Sequence, residues 1–288
     1  SLVDGQSVDP YVVKKPKVYC MNYYGAEVHQ DSITIFRDQL DSALKDANEF
    51  SRFLAGVMTN IDNKHKQVEE ADIRGAIINF ITAKYAHDSA NAINVLQEYY
   101  NETGVTLTPA NMFAPANYVE FTRWLAAYMQ TLVDKMSERS IKYHMNITGK
   151  EVMRFTDGAN LKKFISDKVL NNITAVAQSV TYNADKISNI AAGATKMTFW
   201  QNIEDPYSAK ATPAYLDVSN GQIATDSTAV NVENIIGILF DKDALGLVKR
   251  STWSGATPFK PRGGYYNIYY HWTNTVWNSF DENFVLLY

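Results

Sequence analysis

A run of aromatic residues near the carboxyl end decides the fold: Tyr265-Tyr266-Asn267-Ile268-Tyr269-Tyr270-His271-Trp272, continuing to Phe280. Alternate residues of this run fall on opposite sides of a period-two ribbon, and both sides are rich in aromatic side chains, which is typical of a β-strand. We therefore predict a strand that is largely covered on both faces. Pro258, Pro261 and the pair Gly263-Gly264 interrupt regular structure before it, so a shaped loop leads into the strand.

Composition and charge restrict the class of protein. The chain has 288 residues, 46% hydrophobic and 12% aromatic, enough for a sizeable core. Its 27 Lys and Arg against 31 Asp and Glu give a net charge of −4 without a block of like charge, which argues against sequence-specific nucleic-acid binding. No stretch approaches the roughly 18 apolar residues of a membrane span. With Cys20 as the single cysteine there is no internal disulfide, which favours synthesis in a reducing, intracellular compartment.

The amino-terminal part contains two β-type runs, residues 12–24 and residues 32–36, separated by the glycine-containing segment 25–31. This pattern predicts a long hairpin that turns near Gly25. Two strands alone are marginally stable, so the hairpin needs a surface to lie against. That surface belongs either to the same domain or to another chain, and the sequence leaves both open.

A helical period begins at Asp38. Apolar residues recur at steps of three and four and predict a long helix, an interruption at residues 60–63 and a second helix over residues 64–84. A shorter helix is predicted over residues 91–100, closing near Gly104. Another begins at Asn117, which we expect to act as N-cap, with Glu120 completing a capping box.

The following part mixes strands and helices. Residues 141–147 alternate between apolar and polar and predict a half-exposed strand with His144 on its polar side. A strand is predicted over residues 161–166, then a helix reaching Val180, a short β segment over residues 196–201 and an exposed loop over residues 219–229. The continuous apolar run Ile235-Ile236-Gly237-Ile238-Leu239-Phe240 predicts a central strand buried on both faces.

The sequence contains none of the common catalytic motifs, such as H-E-x-x-H, G-x-S-x-G or G-x-G-x-x-G. Asp241 and Asp243 lack the remaining ligands of a calcium loop. Glu204 and Asp205 form a carboxylate pair without a surrounding motif, so a role in a turn ahead of Pro206 is favoured. We predict no catalytic residue, no cofactor and no metal.

Several strings outside any catalytic motif resemble tailed-bacteriophage major capsid proteins, in particular the short-tailed type found in gut phages of Firmicutes hosts. The carboxy-terminal strings are residues 234–246, 253–259 and 262–267, and Trp277-Asn278-Ser279-Phe280-Asp281-Glu282-Asn283. Further pieces are Phe199-Trp200-Gln201, Asp205-Pro206 and residues 137–144.

The resemblance implies the α+β Hong Kong ninety-seven fold, with an extended β-hairpin loop, a long spine helix, a peripheral domain and an axial domain. On this basis residues 1–37 are the amino-terminal segment and extended loop, residues 38–150 the spine helix and peripheral-type helical region, and residues 151–288 mainly the axial-type α/β domain. The implied function is that of a non-enzymatic subunit that assembles into the icosahedral shell around the double-stranded DNA genome.

The resemblance also implies partners and places. The partners are copies of the chain in hexamers and pentamers, then portal, scaffolding or decoration proteins, and weak non-specific contact with packaged DNA; no membrane is involved. The protein is expected in the virion, after assembly in the cytoplasm of the bacterial host. Subunit-interface candidates in the extended loop are Tyr19, Tyr23, Gly25, His29 and Ile33. Structural candidates in the axial domain are Trp253, Gly263, Gly264, Tyr270 and Trp272.

Two alternatives remain open. The first is the shell protein of an encapsulin-type bacterial nanocompartment, which has the same fold but encloses protein cargo. The second is a carbohydrate-binding or hydrolytic domain that uses residues 265–277 as a sugar platform, in which case the stacking aromatic side chains are exposed.

Overall fold

The computed structural model describes residues 25–38, 47–180 and 193–288, together with Tyr11, Val13 and Asn22. The helices are α1 Ala47–His87, α2 Val95–Thr103, α3 Tyr118–Ser137 and α4 Asp167–Val180. The first strands are β1 Glu27–Phe36, β2 Ala92–Ile93, β3 Leu161–Ser166, β4 Thr195–Met197, β5 Ala209–Ala211 and β6 Ala214–Asp217. They are followed by β7 Gln222–Thr225, β8 Val230–Val232, β9 Gly237–Asp241, β10 Leu245–Ala256, β11 Tyr265–Asn278 and β12 Phe284–Leu287.

The core is built around a five-stranded sheet in the order β2-β12-β9-β3-β4. Its middle strand is β9, and every residue of β9 is buried, which confirms the central strand predicted from the apolar run. Gly237 at the start of β9 is required by packing, because a Cβ atom there would lie 2.7 Å from the carbonyl oxygen of Phe164. The carboxyl end of the chain, β12, is equally buried and pairs with β9.

Each face of this sheet carries its own hydrophobic cluster, because alternate residues of a strand point to opposite faces. Leu239 and Val285 pack with helices α2, α3 and α4 on one face. Ile238 and Phe240 pack on the other face with the last turns of α1, where Phe80 is fully buried. The sheet is therefore the middle layer of a three-layer core.

Helix α1 runs without interruption through residues 60–63, so the predicted break is wrong. Asn60, Asp62 and Asn63 are exposed, and a polar residue on the solvent side of a helix leaves the backbone hydrogen bonds intact. Asp62 also forms an i,i+4 ion pair with Lys66 at 2.6 Å. The outcome is one helix of 41 residues, whose last third is in the core.

Of two predicted helix ends, the one at Gly104 agrees with the structure and the one at Asn117 does not. Helix α2 ends as predicted at Gly104, which has a φ of 73°, and Asn94 caps its start by accepting a hydrogen bond from the Gln97 amide. At Asn117 the backbone is helical and the side chain caps nothing. The predicted capping box with Glu120 is therefore wrong, since the Asn117 Nδ2 donates to the Asn111 carbonyl oxygen.

Two irregular segments also depart from prediction. Residues 141–147 form bends and no strand, and His144 is buried, not on a polar side. Its Nδ1 lies 2.8 Å from the Lys142 carbonyl oxygen and its Nε2 lies 2.9 Å from that of Val152, so the ring holds the segment together. Residues 219–229 are not wholly loop, because they include β7, which pairs with β6.

The second sheet has three antiparallel strands in the order β1-β11-β10. Strand β1 begins at Glu27, so the turn predicted over residues 25–31 is wrong beyond its first residues. Most of the first predicted arm, residues 12–24, lies outside the described residues. The strand β1 finds its partner in β11 of the same chain, over the whole length from Glu27–Asn274 to Phe36–Tyr265.

Candidate subunit interface

One face of the three-stranded sheet packs on helix α1. We call it the inner face. Trp272 is at the centre of this contact and is only 4% exposed. Its ring stacks on His29 of β1 at a centroid distance of 5.6 Å and packs against His65 of α1 at 4.7 Å. Period-two alternation places every second residue of β11 on this side, which is why this strand supplies several of the contacts with α1.

Polar contacts fix the sheet along α1. Asn274 donates from Nδ2 to Asp72 Oδ2 at 3.1 Å, and Asn278 donates from Nδ2 to the Ala76 carbonyl oxygen at 3.1 Å. Ion pairs join the two outer strands to the same helix: Lys249 Nζ to Glu69 Oε1 at 2.6 Å from β10, and Lys64 Nζ to Asp31 Oδ1 at 2.7 Å from β1. The inner face is thus held by both apolar and polar groups.

The opposite side of the sheet, which we call the outer face, consists of the alternate residues of each strand. From β1 these are Val28, Gln30, Ser32, Thr34 and Phe36. From β11 they are Tyr265, Asn267, Tyr269, His271, Thr273, Thr275 and Trp277, and from β10 they are Gly246, Val248, Ser251, Trp253 and Gly255. None of these paired positions holds Asp, Glu, Lys or Arg; Arg250 lies in the irregularity between Lys249 and Ser251.

Within the part of the chain that the structure describes, the outer face is open along β1 and much of β10, whereas the β11 residues on it are half-buried. Val28 is 68% exposed and Trp253 is 59% exposed, and all the residues that β1 contributes to this face are exposed. The Trp253 ring stacks on His271 at a centroid distance of 3.9 Å with an angle of 10° between the planes, so the two side chains support each other across neighbouring strands. An open sheet face ordinarily carries charged side chains, so a face with uncharged paired positions and several aromatic rings is a candidate contact surface.

The predicted extended-loop residues do not come together on one open surface. Gly25 is exposed, with a φ of 119°, and its carbonyl oxygen accepts a hydrogen bond from Thr275 Oγ1 at 3.0 Å. His29 and Ile33 share the inner face with Trp272 and are half-buried. Tyr19 and Tyr23 lie outside the described residues.

The structural candidates all lie in or beside the three-stranded sheet, which packs on α1, and not in the five-stranded sheet. Trp272 and Tyr270 belong to the inner face, and the Tyr270 hydroxyl lies 3.2 Å from Met58 Sδ. Trp253 belongs to the outer face and is carried by β10; every residue of β11 itself is buried or half-buried, as expected for a strand that is largely covered on both faces. Gly264 has a φ of 67°, and a Cβ atom on Gly263 would lie 2.4 Å from the Tyr265 ring.

Several carboxylates take structural roles, among them two that the sequence analysis considered for chemistry. Asp205 accepts a hydrogen bond from Ser208 Oγ at 2.5 Å in a turn, as predicted. Asp241 caps its own turn by accepting from the Asp243 amide at 3.0 Å. Arg154 pairs with Asp281 at 2.5 Å and with Glu282 at 2.6 Å.

One of these groups has a shifted proton equilibrium. Burial raises the pKa of Glu282 to about 7, against the lowering effect of the Arg154 guanidinium. No nucleophile or base is paired with it in the contacts of the described residues. The group is therefore a source of pH-dependent stability.

Sequence reasoning did not identify the outer face, nor the role of Asp72. The signal for the outer face is present in residues 265–277. Apart from histidine, no residue carries a formal charge on the side of the strand that includes Tyr265, Asn267, Tyr269 and His271. It became meaningful only once the pairing of β11 with β1 and β10 was known. Within the described residues, no helix combines the length and the apolar character that crossing a membrane requires.

The solved structures most relevant to this arrangement are phage capsid structures. A chain in the capsid structure of Staphylococcus phage Andhra is 10% identical, with a TM-score of 0.57, over 92% of this chain and 70% of that chain. A chain in the structure of head fiber and inner core protein gp22 of native bacteriophage P68 is 8% identical, with a TM-score of 0.55, over 92% of this chain and 71% of that chain. At these identities the likeness establishes the fold, which is the α+β Hong Kong ninety-seven-like fold of phage capsid proteins.

The family follows from the sequence. The profile of the Phi29-like phage major capsid protein family matches residues 4–288, and the chain belongs to this family. A comparison with curated protein sequences finds no match. The protein is thus a structural component of the phage capsid, its place is the virion, and it associates with itself into capsomers. Neither the encapsulin alternative nor the sugar-binding alternative receives support.

Proposed function

We propose that this chain is the subunit of a closed icosahedral shell around a double-stranded DNA genome, and that the outer face of its three-stranded sheet is a contact between neighbouring copies. The role is structural and involves no enzymatic step. Hexamers and pentamers of the chain form the shell, which assembles in the cytoplasm of the bacterial host. Portal, scaffolding or decoration proteins complete the particle.

The observation that carries this proposal is the outer face, which is uncharged at its paired positions and presents Trp253 to solvent. Covering a large apolar side chain contributes about 1.5–3 kcal/mol, so covering Trp253 alone is a substantial gain for each contact. The protein that covers Trp253 is a second copy of this chain, because the family forms shells from one repeated subunit. Tryptophan is also the residue most enriched among those that dominate protein contacts.

The same arrangement suggests how the sheets correspond to the two domains of the fold. The long helix α1 is the spine helix, and the three-stranded sheet packed on it belongs to the peripheral domain. The five-stranded sheet, with α2, α3 and α4 on one face, is the core of the axial domain. Residues 151–288 therefore supply both domains, and the structural candidates around Trp272 belong to the peripheral one.

The charge balance bears on contact with the genome. A net charge of −4 gives a mildly acidic protein, which repels phosphate and lets DNA slide during packing. We expect weak binding without sequence preference.

The experiment replaces Trp253 by Lys, which puts a charge on the outer face without removing a buried side chain. The matched control is Ile203→Lys, an equally drastic change at a residue that is 77% exposed and outside the three-stranded sheet. Both variants are expected to fold, since both sites are open in the single chain. The control is expected to form particles and Trp253→Lys to remain dispersed, as measured by sedimentation velocity and negative-stain electron microscopy.

Normal particles from Trp253→Lys and from a second outer-face variant, Val28→Lys, would show that this face is not a subunit contact. A loss of particles in the Ile203→Lys control as well would mean that assembly responds to any added charge. Either result would leave the family membership intact and remove the assignment of the contact.

A further inference from the structure

Two carboxylates and an imidazole meet where the start of strand β1 lies on helix α1, on the inner face of the three-stranded sheet. We propose that Glu27, His29 and Asp72 form a binding site for a first-row divalent cation, of the class represented by Zn²⁺. The site lies within one chain and goes beyond the shell function, which does not depend on it.

The first observation is geometric. Glu27 and His29 are two residues apart on β1 and therefore on the same side of the strand, facing Asp72 of α1. One potential ligand atom from each of the three side chains lies within 4.8 Å of the other two. His29 Nε2 and Asp72 Oδ2 are 3.4 Å apart. Two ligand atoms, each about 2.1 Å from a tetrahedral zinc ion, are also separated by about 3.4 Å.

The second observation is that polar atoms at this point are buried without a hydrogen bond. His29 Nε2 is sheltered from solvent and makes no hydrogen bond, although it lies within ion-pair distance of Asp72 Oδ2, at 3.4 Å. Asn274, which lies opposite Glu27 in the sheet and is only 1% exposed, has an Oδ1 without a partner, while its Nδ2 donates to Asp72. A buried polar atom without a partner costs about 1–3 kcal/mol, so the site is incomplete as it stands.

A cation would supply a partner for His29 Nε2 and would neutralise the two carboxylates. His29 Nε2 would become a ligand in its neutral form. Rotation of the Asn274 amide would bring Oδ1 beside Asp72 as a further oxygen ligand, at the cost of the hydrogen bond that Nδ2 now donates to Asp72. Such a set of one imidazole nitrogen and carboxylate and amide oxygens suits a first-row divalent ion better than Ca²⁺, which takes oxygen ligands only.

No basic side chain occupies the place of the cation in the described ranges. The lysines on this side of the sheet are engaged elsewhere: Lys64 pairs with Asp31, and Lys249 pairs with Glu69. Asp72 has only His29 as an ion-pair partner among the described residues. Two carboxylates close together without a lysine or arginine are a charge arrangement that a divalent ion neutralises.

The site also has access and room for water. A cleft of about 370 Å³ opens beside it, lined by Glu27, Asp72 and Asn278 among others. The Asn278 Oδ1 is a further buried oxygen without a partner on this cleft. An ion held here would link strand β1 to the spine helix, and so would fasten the beginning of the sheet to the most extended element of the fold.

The test uses the untagged full-length protein after treatment with a chelator, titrated with Zn²⁺ in a calorimeter. We expect one ion to bind per chain, and the thermal midpoint to rise because the ion binds the folded state. Three variants, His29→Gln, Asp72→Asn and Glu27→Gln, are each expected to weaken binding at least about tenfold. Glu27 is exposed, so its variant tests the site without disturbing the fold.

The matched control is Asp62→Asn, which removes a carboxylate from the same helix in an exposed ion pair with Lys66. It is expected to bind Zn²⁺ as the parent protein does. Absence of stoichiometric binding to the parent protein would overturn the proposal. Undiminished binding by Glu27→Gln and His29→Gln would also overturn it, since the ion would then be held elsewhere.

Discussion

Replacing Trp272 by alanine tests the contact that joins the three-stranded sheet to helix α1. The ring is buried between two histidines, one from the sheet and one from the helix, so its removal leaves a cavity at the centre of the contact. The neighbouring backbone belongs to paired strands and a long helix, which limits how far the site can collapse. The full cost of the cavity should therefore appear in the free energy of unfolding.

The magnitude follows from two opposing effects. Truncating a buried tryptophan to alanine costs about 3–5 kcal/mol. The Trp272 Nε1 is buried without a hydrogen-bond partner, so the wild-type protein already carries a desolvation cost of about 1 kcal/mol that the variant loses. The expected net loss is about 2–4 kcal/mol, a large part of typical domain stability.

The assay is urea unfolding of dispersed subunits, followed by far-ultraviolet circular dichroism. The matched control is Trp253→Ala, because Trp253 lies in the same sheet, on the outer face, and is mostly exposed. Its loss removes the stacking on His271, worth about 0.5–1.5 kcal/mol. A loss below about 1 kcal/mol for Trp272→Ala, or equal losses for the two variants, would refute the described contact.

Two further stability predictions follow. Because burial raises the Glu282 pKa from 4.5 to about 7, the stability from its protonated form is fully present below about pH 4.5 and is lost as the pH rises through 7. Glu282→Gln cannot ionise, so in chemical unfolding it should equal the parent protein near pH 4.5 and exceed its stability at pH 8 by about 1–3 kcal/mol. A Glu282→Gln variant less stable than the parent at pH 8 would show that the ion pair with Arg154 dominates. Gly264→Val should lower the free energy of unfolding by about 1–3 kcal/mol, because a φ of 67° is strained for a β-branched residue. The control Gly56→Ala, in the exposed part of α1, should raise it by about 0.5–1 kcal/mol. Thermal unfolding measures both, and an unchanged midpoint for Gly264→Val would contradict the backbone conformation at this residue.

The local sequence pattern was enough to predict two strands whose two faces have similar surroundings. The apolar run before Asp241 predicts a strand covered on both faces, and β9 is the middle strand of the five-stranded sheet. The aromatic run from Tyr265 predicts a strand, and β11 has the predicted course. In both cases the side chains themselves carry the period, so no knowledge of distant residues is needed.

Local pattern failed where the partner lies far away in the sequence. The segment 25–31 contains a glycine and polar residues and was predicted as a turn, yet it continues a strand because β11 offers it hydrogen bonds. Asn60 to Asn63 looked like a helix break because nothing in the sequence shows that these residues face solvent. Which face of β11 meets α1 is hidden for the same reason, since only the pairing and the contacts with the helix show it.

The candidate sites depend on the same distant pairing. The outer face combines three strands from both ends of the chain, and the cluster of Glu27, His29 and Asp72 combines a strand with a helix. Each residue is unremarkable in its own segment. Only the register of β1 against β11 brings Glu27 and His29 to the side of Asp72 and leaves Asp, Glu, Lys and Arg out of the paired positions on the other side.

The central claim is that this chain builds a closed shell and that the outer face of the three-stranded sheet is buried between copies. A cryo-electron-microscopy reconstruction of the particles, formed by the protein expressed with the phage's neighbouring genes, tests it most directly. The account predicts an icosahedral shell in which Trp253 of each subunit lies against a neighbouring copy. A folded protein that stays dispersed, or a shell in which Trp253 faces solvent, would contradict it.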